Sequence, residues 1–292
     1  MLRRIVWIII AVPLALIVIG TGAAFSLPAT RHLISGWWNV PDGLPALSDN
    51  NLVHYEPGAE EFARDVAKLL PAAVARVEAV QGRRFAQPVT LGAYATPEAY
   101  MAANGIGSMG PVGTTLFGRI NLSPKLFSLQ RRRLPGILTH ELSHAHIQGW
   151  LARQAWTGSL TYVALPNWFK EGLAVMVSDG GGAELVSEEE ARQAISRGEQ
   201  IEINDAGSLF NLTEIRFARA PAQQDPAWYP TVLAYREAGL FVSYLHESDR
   251  AAFDRMMKDV LDGRTFAEAM RDAYHSDAKE LWEKFKTSFA RT

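Results

Sequence analysis

The stretch that most restricts how this chain can fold is His140-Glu141-Leu142-Ser143-His144, lying in an apolar-periodic segment from Leu134 to Gly149. On a helix, positions four apart share a face, so the two imidazoles converge on one point while the intervening Glu leans over its open side. The segment must therefore be helical, and a metal held there needs a further ligand from another part of the chain. With seven His and 19 Glu in 292 residues, chance places such a pentapeptide in roughly one chain in a hundred. Corroboration has to come from the remaining sequence.

Cysteine is absent, which excludes disulfides, thiolate ligands and thiol nucleophiles. Any metal is held by imidazole and carboxylate. At 48% hydrophobic and 21% charged, the chain has apolar material for one sizeable domain or two small ones. A net charge of -2 provides no basic field, so nucleic acid is not an expected partner.

Arg3 and Arg4 precede an uncharged run from Ile5 to Phe25, long enough for one helix across a bilayer core of roughly 30 Å. Residues 1–26 are expected to be a membrane anchor with the N-terminus cytoplasmic and the remainder extracytoplasmic, by the positive-inside bias. The alternative is a signal sequence cleaved near Gly22-Ala23-Ala24, leaving a secreted or periplasmic protein. Residues 27–57, punctuated by Pro28, Pro41, Pro45 and Pro57, read as a linker. Within it Trp37 and Trp38 suit either a bilayer surface or packing onto the domain. Residues 58–292 form the expected domain.

Apolar positions from Phe62 to Val80 recur at three and four, predicting an amphipathic helix over 59–81 that stops at Gly82. A short strand is expected over 88–94. Thr96-Pro97-Glu98 then starts a brief helix to Asn104. Gly105 to Gly110 matches GxGxxG, but a helix precedes it and strand character follows, so it is read as a loop and not a dinucleotide site. One strand is expected from Val112 to Leu122. Arg131-Arg132-Arg133 is read as solvated surface.

For the third metal ligand, a histidine six positions beyond His144 fails, since Trp150 stands there. His146 lies about 200° around the helix from His144 and faces elsewhere. The remaining source is Pro166-Asn167-Trp168-Phe169-Lys170-Glu171-Gly172-Leu173-Ala174, where Pro166 opens a helix and Glu171 sits in an apolar stretch that tolerates a carboxylate only if it is paired or metal-bound. Gly172 and Ala174 are small enough for this helix to approach the His140 helix closely.

Pro166, Trp168, Glu171, Gly172 and Ala174 fill a P-x-W-x-x-E-G-x-A element downstream of HExxH, and in this the chain resembles the gluzincin metallopeptidases, in particular the peptidase MA-like branch. The segments 234–245 and 263–269, with Leu281-Trp282, are similar to that branch's later helices. The resemblance implies a helix-rich α+β domain of zincin type with a small sheet, one zinc ion on His140, His144 and Glu171, and Glu141 as general base. It further implies hydrolysis of a peptide or protein substrate that pairs with the strand ahead of the metal helix, and assigns Tyr235 as oxyanion donor, with His146 and His246 as weaker candidates. Two positions depart from the pattern: Val175 replaces an aspartate that orients a histidine in some members, and Arg236-Glu237 is bulkier and more charged than expected. Residues 180–226 carry no assignable chemistry. A catalytically silent zincin-fold scaffold and a hydrolase of non-peptide amides are the alternatives.

Overall fold

The computed structural model describes residues 27–154, 158–208 and 214–289. The expected anchor over residues 1–26 lies outside them. Among the described residues no helix is long and apolar enough to cross a membrane.

The protein is a helix-rich α+β structure with a five-stranded mixed sheet and a two-stranded ribbon. The larger sheet is built from β1 (Ala46–Leu47), β2 (Asn50–Tyr55), β3 (Leu91–Ala93), β4 (Gly113–Leu116) and β5 (Arg119–Leu122), in the order β1-β2-β3-β5-β4. Strands β2, β3 and β5 run parallel, and β1 and β4 close the two edges antiparallel. Val53, Leu91 and Ile120 occupy one row across the three central strands, and all are fully buried. Because side chains alternate along a strand, this row marks the core face. It is covered by α2 (Glu60–Gln81) and α5 (Leu134–Gln154), which pack on each other and on the strands.

Helix α2 follows its period-3.6 stripe, burying Phe62, Val66, Leu70 and Val77, and ends at Gly82 in the left-handed conformation. Helix α3 (Pro97–Ala103) starts as its capping signal predicts, with the Thr96 hydroxyl accepting from Ala99 N–H, and the short α4 (Pro124–Ser128) is capped likewise by Ser123, which accepts from Lys125 N–H. The Gly105 to Gly110 loop has no helix after it. Its turn is held by the Asn104 side chain, which accepts from the N–H groups of Ile106 and Gly107.

Three expectations about organisation are corrected. Residues 27–57 are not a bare linker: they contain α1 (Pro28–Trp38), β1 and β2, and so supply two strands of the sheet. Only Val53 within β2 is fully buried, so the sequence alternates too weakly to announce a strand. The single strand over 112–122 is a hairpin, β4 and β5, turning at Phe117 and Gly118, both at positive φ (51° and 75°). A two-residue turn of that kind is usually marked by Asn or Asp, and here an aromatic takes the first position. Finally, Gly172 on α7 (Asn167–Val177) packs on α9 (Tyr229–Ser248), not on α5. A Cβ at Gly172 would lie 2.5 Å from the Ala238 carbonyl oxygen, and one at Gly239 would lie 2.4 Å from Val175 Cγ1.

The rest of the chain buttresses this α7–α9 pair. Helix α6 (Gly158–Ala164) bridges α5 to α7, while α8 (Glu188–Ser196) and the ribbon of β6 (Gln200–Ile201) with β7 (Phe217–Arg219) lie on α9. Helices α10 (Arg250–Leu261), α11 (Phe266–Tyr274) and α12 (Ala278–Ser288) close the C-terminal end. Each of these three has a side-chain N-cap, from Asp249, Thr265 and Asp277. Trp168 anchors α7 in an aromatic core, with ring centroids 5.1 Å from Phe241 and 5.6 Å from Phe266, and its indole N–H donates to the Asn204 carbonyl at 2.8 Å.

Candidate metal centre

Helix α5 is buried almost all round because it lies between the sheet, α2 and α7. Polar groups on it are tolerated only where a partner exists. His140 and His144 project toward α7, and Glu171 on α7 projects back. The Nε2 atoms of the two imidazoles are 3.2 Å apart, and Glu171 Oε2 lies 3.3 Å from the first and 3.5 Å from the second. The side chains are 6%, 8% and 12% exposed, so three lone-pair-bearing atoms share one nearly dry point. This buried group can hold a metal ion.

Burial by itself pushes the Glu171 carboxyl upward, but His144 and His140 outweigh it and hold Glu171 far below the usual carboxylate range. Burial likewise opposes charge on His140; Glu171, Glu141 and the Gly181 carbonyl reverse that and leave its pKa above the ordinary value. A buried carboxylate facing two imidazoles favours positive charge at their shared point, as a cation site does.

The outer support of each imidazole is visible. His140 Nδ1 donates to the Gly181 carbonyl at 2.8 Å, which also accepts from the Ser178 hydroxyl at 3.3 Å. His144 Nδ1 is 3.2 Å from the Tyr162 hydroxyl. The carbonyl can only accept, which leaves the His140 Nε2 lone pair facing the shared point, and the Tyr162 hydroxyl can accept from His144 Nδ1 when His144 Nε2 binds a metal. The loop carrying Gly181 is pressed on α5: a Cβ at Gly181 would lie 2.4 Å from the Gly136 carbonyl oxygen. Arg236 fastens the same loop, donating to the carbonyls of Val186 and Ala183 at 2.8 Å each. That accounts for the unexpected Arg236-Glu237 pair, since the fully buried Glu237 accepts from Ile201 N–H at 2.9 Å and ties α9 to β6. Residues 180–226, expected to carry no chemistry, thus supply the acceptor for His140. Val175 has no part in orienting a histidine; it packs on Gly239.

Glu141 is 7% exposed and faces β4. The Thr115 hydroxyl lies 2.7 Å from its Oε2 and 2.9 Å from its backbone carbonyl. Gly113 makes the approach possible, because a Cβ there would be 2.9 Å from Glu141 Cγ. Tyr235 lies across the site with its ring nearly parallel to His140, centroids 6.2 Å apart. Burial, with Glu171 and Glu141 nearby, pushes its phenol well above the ordinary value, so it keeps its proton. His146 and His246 are elsewhere. His146 bonds the Arg83 carbonyl at 2.9 Å and meets Phe85 edge-on, and His246 packs on Phe253.

Tyr162 and Gly181 are the functional partners that sequence reasoning missed. A backbone carbonyl leaves no trace in residue identity, and Tyr162 sits on a seven-residue helix whose position follows only from the tertiary fold. Lys170 beside Glu171 is buried as well: 3% exposed, with its ammonium 4.9 Å from the Tyr162 ring centroid, it is held down to about 8 by burial, with Glu171 opposing. No family model matches the chain, and neither a curated protein nor a solved structure matches it.

Proposed function

We propose that the protein is a zinc-dependent peptidase of the gluzincin kind, held at the outer face of a membrane by residues 1–26. The observation that carries this reading is the spacing of the three ligand atoms. Tetrahedral zinc with ligands at about 2.0–2.1 Å has ligand-to-ligand edges of about 3.3–3.4 Å. The separations here are 3.2, 3.3 and 3.5 Å. A donor set of two imidazoles and one carboxylate, with no thiolate, is that of catalytic zinc, where the fourth position is kept for water.

Zinc held by His140, His144 and Glu171 would supply Lewis acidity toward a water and a scissile carbonyl. Glu141 is the group that would take a proton from the attacking water and return it to the leaving amine, with Thr115 fixing the carboxylate on the β4 side. The protonated Tyr235 phenol is a donor for the oxyanion. Among the described residues β4 pairs only with β5, so its outer edge offers backbone groups to an extended peptide, and Gly113 and Thr115 on it already contact the base.

The experiment is Glu141→Gln. The variant is expected to bind one zinc per chain with wild-type affinity and to lose hydrolysis across a peptide library. Undiminished hydrolysis excludes the mechanism, and a zinc-loaded wild type that cleaves nothing favours the silent scaffold.

A further inference from the structure

Of the nine large apolar side chains left exposed among the described residues, Leu27, Trp37, Trp38, Ile106 and Phe117 all lie on α1, at its start, or on segments α1 touches. Isolated exposed apolar residues are ordinary, whereas a cluster marks an interaction face. Trp38 is 77% and Trp37 57% exposed.

This cluster is rigidly built. Gly36 lets α1 approach so closely that a Cβ there would lie 2.5 Å from Leu116 Cδ2 and 3.1 Å from Gly105 Cα. The Ser35 hydroxyl donates to the Ala102 carbonyl at 2.8 Å, and Trp37 meets Phe117 edge-on at 5.0 Å. Ile106 stands between Gly105, against Leu116, and Gly107, against His32. Helix α1, the Gly105 to Gly107 loop and the β4–β5 turn thus form one surface.

Chain length and charge say what covers it. The uncharged run ends at Phe25, and α1 begins at Pro28. Three residue steps at up to about 3.6 Å and nine helical steps at about 1.5 Å put Trp37 no more than roughly 25 Å from the end of that run. Helix α1 has Arg31 and His32 and no acidic residue. Arg31 precedes Trp38 by seven positions and so shares its face. Tryptophan at the headgroup level with a neighbouring cation is the chemistry of a bilayer surface.

We propose that this face, comprising Trp37, Trp38, Ile106 and Phe117, rests on the outer surface of an anionic lipid bilayer, and that the metal centre therefore acts on segments of protein substrates close to the membrane. The lipid contact is independent of the site's chemistry; the substrate class rests on the peptidase reading. The geometry connects the two, because Thr115, which holds Glu141, is only two strand residues, or about 7 Å, from Phe117. A peptide laid along the free edge of β4 enters or leaves over this face.

The absence of cysteine permits a direct test. Trp38→Cys, Ile106→Cys and, at an exposed position of α12, Lys279→Cys each provide one site for an environment-sensitive fluorophore in the full chain. The background is Glu141→Gln, in vesicles of phosphatidylcholine and phosphatidylglycerol containing lipids spin-labelled near the headgroup. Quenching at 38 and 106 is expected to exceed that at 279 at least threefold. Equal quenching at the three sites overturns the lipid contact. So does a probe at 38 shielded from aqueous iodide but not quenched by lipid, which would place residues 5–25 or a second copy on the face. For the substrate class, one cleavage sequence is presented to wild type either about ten residues from a membrane span or as a soluble peptide. At least tenfold faster cleavage of the tethered form is expected, and Trp38→Ser with Ile106→Ser should reduce that advantage. Equal cleavage of both forms overturns the substrate class and leaves the peptidase reading standing. Cleavage of neither removes both while the lipid result stands alone.

Discussion

Replacing Tyr162 by Phe removes one oxygen atom and leaves the ring beneath the Lys170 ammonium, 4.9 Å from its centroid. The effect depends on the tautomer of His144. Metal binding needs the Nε2 lone pair, which puts the proton on Nδ1, 3.2 Å from the Tyr162 hydroxyl. In Tyr162→Phe that N–H has no partner in a buried site, a penalty of about 1–3 kcal/mol. In the metal-free protein the imidazole can shift its proton to Nε2 and turn it toward Glu171 Oε2, 3.5 Å away. The loss therefore falls mainly on the metal-bound state. Zinc affinity is expected to drop about 10- to 100-fold, equivalent to about 1.4–2.7 kcal/mol, as for other outer partners of ligand histidines. Metal-free stability should change by less than about 1 kcal/mol. Competition titration against a chromophoric chelator measures the first, and urea unfolding in excess chelator the second. A dissociation constant within twofold of wild type refutes the assignment of Tyr162 as the support of His144.

Gly172→Ala places a methyl 2.5 Å from the backbone oxygen of Ala238, which has no rotamer to escape into, so α7 and α9 must separate; overpacking of this kind destabilises by about 1–3 kcal/mol in urea unfolding, and an unchanged midpoint contradicts the packing. Thr115→Val removes the hydroxyl 2.7 Å from Glu141 Oε2 and is expected to lower kcat/KM by about 10- to 100-fold, in line with a hydrogen bond to a charged group, with zinc affinity unchanged. Lys170, with a pKa of about 8 when folded against 10.5 for the free side chain, binds its proton more weakly in the native state. The unfolded chain therefore holds more protons between those values, and this residue's contribution to stability rises with pH across that window. Metal-free Lys170→Met should accordingly be more stable than wild type at pH 7, by up to about 3 kcal/mol, and the gap should close by pH 10.5.

The core of the candidate site was legible because its chemistry is carried by residue type at fixed spacing. His140, Glu141 and His144 name their own helix, and Glu171 betrays itself as a carboxylate in an apolar stretch. Helices α2, α3, α5 and α7 were legible for a related reason: periodicity, the Thr96 cap, Gly82 and Pro166 are local signals. Strands β1 and β2 were not, since a six-residue strand that buries one side chain fully has no pattern to distinguish it from a punctuated linker. The hairpin turn was hidden because Phe117 holds a positive φ that a sequence reading assigns to Asn, Asp or Gly. The partners of the imidazoles were hidden more deeply. Gly181 acts through its carbonyl and Tyr162 through a contact between separate helices, and only the fold reveals either. The same holds for Gly172, whose small size was evident while the helix it admits was not.

The central claim is that His140, His144 and Glu171 together hold one zinc ion, and it is tested most directly by zinc titration of the wild-type chain beside Glu171→Ala. The account predicts one tight site per chain in wild type and at least 100-fold weaker binding in the variant, because two imidazoles alone leave the metal without its third protein ligand. Wild type without a stoichiometric zinc site, or Glu171→Ala with undiminished affinity, would contradict it.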